Sequence, residues 1–333
     1  MAKPPRHSTR RTRGTRSRRQ RFRVFRGQFF SRGRRGGGVA CRPSFRDLRL
    51  RPAKYAIGEG CLGKICVAAL AILGALFARP ALAKAACHVR GLEPLTVAGA
   101  RYILVGEHHG TAESPAEFGD FVCALAAGRR VVVALEFPQA YQGSLDSFLA
   151  SDGGQAAIQA FRSGPPWSNR PGDGRTSAAM LALVERLRSL YRAGDIQGVR
   201  YLIPPAPQSS AFSPDLYEET MAAGIKQAAS FYPGALVVAL IGNAHATKGA
   251  ISLKAIAYKS AATHLPNGQV VSIFLAGQPG WAWDCRSPSP ADCGPHPLDD
   301  GMHAQRGIQL GPIRAGFDAV MSTGAPSTAS PPA

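Results

Sequence analysis

The chain has 333 residues, 45% of them hydrophobic, and a formal net charge of +19, enough apolar content for one large or two small domains. Residues 1–60 hold 19 of the 40 Lys and Arg but only two of the 21 Asp and Glu, Asp47 and Glu59. The basicity therefore belongs to an arm, and the nearly neutral remainder argues against nucleic acid as a partner of the folded domain.

Residues 1–60 contain RRTRGTRSRRQRFRVFRGQFFSRGRRGGG, a segment with too little periodic apolar pattern to offset its ordering entropy, and it is expected to be disordered. As a working element it would bind nucleic acid, with Phe22, Phe25, Phe29 and Phe30 stacking on bases between arginines. Lys64 then leads into ICVAALAILGALFA and RPALAKAAC. A basic start, an apolar middle and small-x-small sites at Ala81-Leu82-Ala83 or Ala83-Lys84-Ala85 predict a signal peptide over residues 62–85. Its apolar run is shorter than the roughly 20 residues that span a bilayer. The expected destination is the periplasm or the exterior, or a membrane anchor if the segment is not cut. Because such a signal normally starts a chain, the expected true start is near Leu62, with residues 1–61 an over-extended reading frame.

Four cysteines follow the cleavage site, an even number suited to an oxidising compartment. Cys285 and Cys293 flank a Ser/Pro-rich loop and are the easiest pair to join, which leaves Cys87 with Cys123. No CxxC pair is present, so a thiolate zinc site is not expected. Lys84 stands where a lipid-attachment motif ending at Cys87 would have leucine.

Beyond the signal, strand-like and helix-like runs alternate. RYILV (101–105) is a β-branched and aromatic run ended by Gly106, and reads as a strand. PAEFGDFVCALAAG reads as a helix, RVVVALEF (130–137) as a strand, and LDSFLA and QAAIQAFR as two short helices. SGPPWSNRPGDGRTS is a Gly/Pro-rich loop of a length usually reserved for function or disorder. SAAMLALVERLRSLYRAG (177–194) is amphipathic, VRYLI is a strand, and Ser213 with Pro214 opens a further helix. ALVVALIG (235–242) and QVVSIFLAG (269–277) are buried strands. The pattern predicts an α/β fold, a mainly parallel sheet with helices on both faces. It predicts a single domain over residues 86–320 and a disordered tail over 321–333.

Three of these strands end on groups that carry protons or hold metals: Gly106-Glu107-His108-His109, Glu136-Phe137-Pro138 and Gly242-Asn243-Ala244-His245. The carboxyl ends of parallel strands share one edge, where ligands bind, so the fold would gather Glu107, Glu136, His109 and His245. Gly106 and Gly242 are expected to supply the backbone freedom for a sharp turn. The donor set suits a divalent metal, Zn, Mn, Co or Fe, held by His109, His245 and Glu136, with Glu107 as base toward a bound water. The same groups without metal would serve acid–base hydrolysis. Arg175, just ahead of a helix, would meet a substrate carboxylate or an oxyanion. His108, Glu113 and Asn243 are secondary candidates. Trp167 is a lid or a core cover, and Trp281 with Trp283 is expected to pack beside a disulfide.

At these residues the sequence resembles a superfamily that includes ChaN-type haem-binding lipoproteins, Tiki/TraB-type membrane metalloproteases and erythromycin esterases. The resemblance spans roughly residues 98–280 and rests on the two GxxH-like motifs with Glu136 and Arg175 between them. It implies an esterase/ChaN-like α/β core and two activities. One is hydrolysis of a peptide or ester bond in a peptide or small-molecule substrate. The other is haem binding by His109 and His245, across a homodimer in one version. A third reading is an inactive scaffold carrying a nucleic-acid-binding arm. The HGTAE run (109–113) looks like the esterase version, whereas the GExH spacing looks like the ChaN type. After VRYLI the chain has Pro204-Pro205-Ala206-Pro207 in place of a further acidic strand end.

Overall fold

Residues 87–333 are described in a computed structural model, apart from 96–98, 170–171, 206–212, 254–255 and 288. The basic arm, the signal segment, and Ala206 and Pro207 fall outside the described residues.

In chain order the main elements begin with β1 (Tyr102–Glu107), α1 (Glu113–Ala126), β2 (Val131–Pro138), α2 (Gln142–Ala150) and α3 (Gln155–Ser163). Next come α4 (Ala178–Ala193), β3 (Gly198–Ile203), α5 (Pro214–Phe231), β4 (Leu236–Gly242) and α6, a single turn over Asn243–Ala246. The chain closes with β5 (Ala250–Leu253), β6 (Ile256–Lys259), β7 (Val270–Gln278), β8 (Gly280–Cys285), β9 (Cys293–Leu298), β10 (Gly307–Leu310) and β11 (Ala319–Pro326).

The main sheet has the order β10-β11-β7-β1-β4-β2-β3. All neighbours are parallel except β10 against β11. The central strands β1, β2 and β4 read as near-continuous apolar runs because both of their faces are covered. Ile103, Val105, Val133 and Leu240 point to one buried cluster with Phe118, Val184 and Leu187. Their neighbours Leu104, Ala134 and Ile241 point to the other, with Met221, Ala222 and Ile225.

Helix boundaries follow local chemistry. Ser177 caps α4 by accepting from the Met180 N–H, and Gly194 ends it in the left-handed region at φ 78°, where a side chain would be strained. Ser213 caps α5, with Pro214 in its first turn. Two hairpins, β5–β6 and β8–β9, stand outside the main sheet. No helix among the described residues is long and apolar enough to cross a membrane.

Residues 321–333, expected to be disordered, are ordered. β11 lies inside the sheet between β7 and β10, and Ala329 and Pro332 bridge to Thr111 and Ser177. Met321 is buried in the core, and backbone hydrogen bonds hold the rest of this end: Ala112 N–H to Thr328 O at 2.8 Å, Ala178 N–H to Pro331 O at 2.8 Å and Ala333 N–H to Thr176 O at 3.0 Å.

Cys87–Cys123 and Cys285–Cys293 are bonded, the pairing expected from spacing. Cys87 and Cys123 are 36 residues apart, and closing a loop of that size restricts the unfolded chain by about 2–4 kcal/mol. Replacing both with serine should lower the thermal midpoint by several degrees, as a calorimetric scan would register; an unchanged midpoint would refute that contribution.

Candidate functional site

Strand register brings the motifs together. Glu107, the last residue of β1, pairs with Gly242, the last of β4, and β2 lies on the other side of β4 with Leu135 opposite Leu240. Glu136 therefore stands across Gly242 from the loop that carries His109. The single turn α6 then swings His245 back over the same strand ends.

Glycine is needed at these positions for space rather than for turning. Gly242 has φ −59°, which any residue adopts. A Cβ there would lie 3.2 Å from His109 Nε2 and from His245 Cδ2, and 3.6 Å from Glu136 Oε2. A Cβ on Gly106 would lie 2.8 Å from the Ala246 Cβ and 2.9 Å from the Asn243 Cα. The expectation of special backbone angles at these two glycines is corrected to one of close approach.

Glu136 is the hub. Its Oε2 accepts the Gly242 N–H at 2.7 Å and lies 3.4 Å from His109 Nε2. Its Oε1 accepts from Arg175 at 3.2 Å and lies 3.7 Å from His245 Nε2. Each imidazole has a second carboxylate behind it. His109 Nδ1 is 3.0 Å from Glu107 Oε1, and His245 Nδ1 is 2.6 Å from Glu218 Oε1. Glu218 is itself fixed, since its Oε2 accepts the Ala261 N–H at 2.9 Å. Arg175 also donates to the Glu136 carbonyl at 3.2 Å and to Asp173 Oδ2 through Nε at 2.8 Å. The Tyr217 ring lies 5.7 Å from that of His245.

The charges reinforce one another. Burial opposes the charged form of His109, but Glu136 and Glu107 overcome it and raise its pKa to about 10. Burial alone would raise Glu136; His109, His245 and Arg175 instead hold its carboxyl far below the usual carboxylate range. His245 is raised against its burial by the Glu218 bond and by Glu136. Asp173 is lowered against burial by Arg175. The Tyr217 phenol, raised by burial and then by Glu136 to about 12, remains a hydroxyl donor at neutral pH.

The structure thus brings together Glu107, His109, Glu136, Arg175 and His245. Glu107 is 2% exposed and stands behind His109 rather than in the cleft. His108 turns away, 3.9 Å from Asp300. Glu113 opens α1 and accepts the Thr328 N–H at 2.9 Å, so it anchors the end of the chain. Asn243 packs its backbone on Gly106. Pro204 and Pro205 follow β3, the edge strand. Trp167 is a core residue at 2% exposure.

Sequence reasoning missed Glu218, Tyr217 and Asp173. Glu218 had a signal: in α5 it falls in phase with Met221, Ala222 and Ile225 at spacings of three, four and seven. A glutamate on the apolar face of a helix needs a buried partner.

The expected metal set, His109, His245 and Glu136, is in mutual contact. Each His–Glu pair could be bridged by bonds of roughly 2.0–2.2 Å. However, no three His, Cys, Asp or Glu among the described residues are grouped to hold one ion. Arg175 and the Gly242 N–H already engage both oxygens of Glu136.

No protein-family model matches the chain, and no curated protein matches it. Solved structures do. A Bacillus cereus protein superimposes with a TM-score of 0.52 at 14% identity, over 73% of this chain and 93% of that one. The two share a fold. A mutant erythromycin esterase in its open conformation gives a TM-score of 0.49 at 11% identity, over 70% and 92% of the two chains. A succinoglycan biosynthesis protein gives 0.49 at 13% identity, over 63% and 74%.

Proposed function

We propose that this protein is an exported hydrolase that cleaves an ester or peptide bond in a small molecule or peptide, with His109 moving the proton. One observation carries the reading: two imidazoles, each backed by a buried carboxylate, turn their Nε2 atoms toward Glu136 beside Arg175. Glu107 fixes the His109 tautomer by accepting from Nδ1, which leaves Nε2 for the reaction, the orienting role of the third member in triad-type sites.

The water-activating role expected of Glu107 therefore passes to His109. With its proton on Nε2, His109 is an acid for the leaving group; without it, Nε2 is a base for water. Glu136 draws charge onto His109 and Arg175 alike. Arg175, charged at all working pH values, stabilises the oxyanion that forms as water adds to the carbonyl. His245 holds the other side of Glu136, oriented by Glu218. The two disulfides support export, because such bonds persist in oxidising compartments.

The test is turnover of chromogenic short-chain esters and of a mixed peptide library by the purified protein, with and without chelator. Hydrolysis that survives chelation and is lost in His109→Ala is expected. Hydrolysis that needs added zinc or manganese would overturn the metal-free account. A Soret band on haem addition that is lost in His109→Ala, without turnover, would replace it with haem binding.

A further inference from the structure

The loop that carries Arg175 has almost no side chains of its own to hold it. Gly172, Asp173 and Gly174 precede the arginine, and Gly174 sits at φ +81°. The β8–β9 hairpin packs directly on this loop. A Cβ on Gly172 would lie 1.8 Å from Cys285 Sγ and 3.2 Å from Cys293 Sγ, and one on Gly174 would lie 2.8 Å from the Trp283 carbonyl oxygen. The same strand reaches the loop of His109. The Trp283 N–H donates to Gly110 O at 2.9 Å, and a Cβ on Gly110 would lie 2.1 Å from Trp283 O. Gly110 O also accepts the Ser330 N–H at 2.8 Å.

Two loops bearing charged groups of the site thus lie against one two-stranded hairpin, whose loop end is tied by a disulfide. A two-stranded hairpin is marginally stable alone, and Pro295 and Pro297 in β9 remove two backbone donors from it. The cross-link at Cys285 and Cys293, paired residues in the hairpin register, is what closes it beside Gly172. We infer that the Cys285–Cys293 disulfide is a positioning element for the reaction, holding the Gly172–Gly174 loop so that Asp173 stays on Arg175 and Arg175 on Glu136. It acts through Arg175 and touches no reacting atom. The inference rests on the hydrolase reading for its effect on rate, but not for its effect on the loop.

The experiment compares the protein with the Cys285→Ser/Cys293→Ser double variant, with Arg175→Ala, and with all three changes together. Hydrogen exchange across residues 172–176 and steady-state kinetics on the same ester are read in each. Faster exchange confined to that loop is expected in the double variant. Its kcat should fall by roughly 10- to 100-fold, with little further loss when Arg175→Ala is added. Unchanged exchange and rate would overturn the inference, and so would losses that multiply independently with that of Arg175→Ala. Gly172→Ala keeps both cysteines but pushes a methyl group into the sulfurs; it should give the same loop signature and decides the matter if the double variant does not fold. If the unmodified protein cleaves no ester or peptide, the hydrolase reading fails, while the exchange arm still tests the positioning role.

Discussion

His109→Ala should lower kcat/KM for ester cleavage by about 10²- to 10⁴-fold, the usual worth of a positioned proton-transfer group. Its pH dependence follows from the carboxylates around it. With a pKa near 10, the basic form of His109 grows as pH rises, so a rate limited by base catalysis should climb through the alkaline range toward that value. Removing the Glu136 charge removes the leading upward influence on His109. In Glu136→Gln the His109 ring should titrate well below 10, toward its ordinary 6.5, as an NMR titration of the ring protons would follow. A ring that titrates at the same pH in both proteins would refute the coupling and the proton assignment built on it.

The second large effect concerns stability. Glu136→Ala leaves His109 and Arg175 near a buried, emptied position, and breaking a buried charge cluster by deleting one partner costs about 3–5 kcal/mol. Denaturant unfolding of the variant should show that loss, and a change below about 1 kcal/mol would be incompatible with Glu136 as the hub. The pH response has two arms with opposite signs. Glu136, lowered in the folded state, contributes stability that is present above its ordinary pKa of 4.5 and lost as pH falls. His109, raised in the folded state, contributes stability that is full below 6.5 and lost as pH rises through about 10. The protein should therefore be most stable between these limits, and Glu136→Ala should flatten both arms.

Much of this was legible in the chain. β1, β2, β4 and β7 announce themselves because strands buried on both faces must be largely apolar, α4 because it is amphipathic, and α5 because Ser213 and Pro214 open it. The convergence of Glu107, His109, Glu136 and His245 was legible too, since parallel strands end on one edge. The order of neighbours was not. That β4 lies between β1 and β2 is a matter of which faces pack, and no periodicity records it.

β11 escaped notice for a different reason. Ser322 and Thr323 are buried in a strand whose Ser, Thr and Gly content reads as low complexity, and only its first three residues, Ala319, Val320 and Met321, enter the apolar core. β8–β9 was hidden by its prolines and by Trp281, which stays half exposed. Residue types alone also could not give the carboxylate behind each imidazole, which depends on where each Nδ1 and Nε2 points.

The pairing of β1 with β4 and β7 has a kinetic consequence. Tyr102 must wait for Val237 and Val270 to be available, so the middle of the sheet closes only after most of the polypeptide has collapsed around it. Contacts so distant along the chain form slowly. Cys285 and Cys293, 8 residues apart, and Cys87 and Cys123, 36 apart, are far more local contacts. A time course should accordingly register the appearance of the acid–base centre last, in one late step.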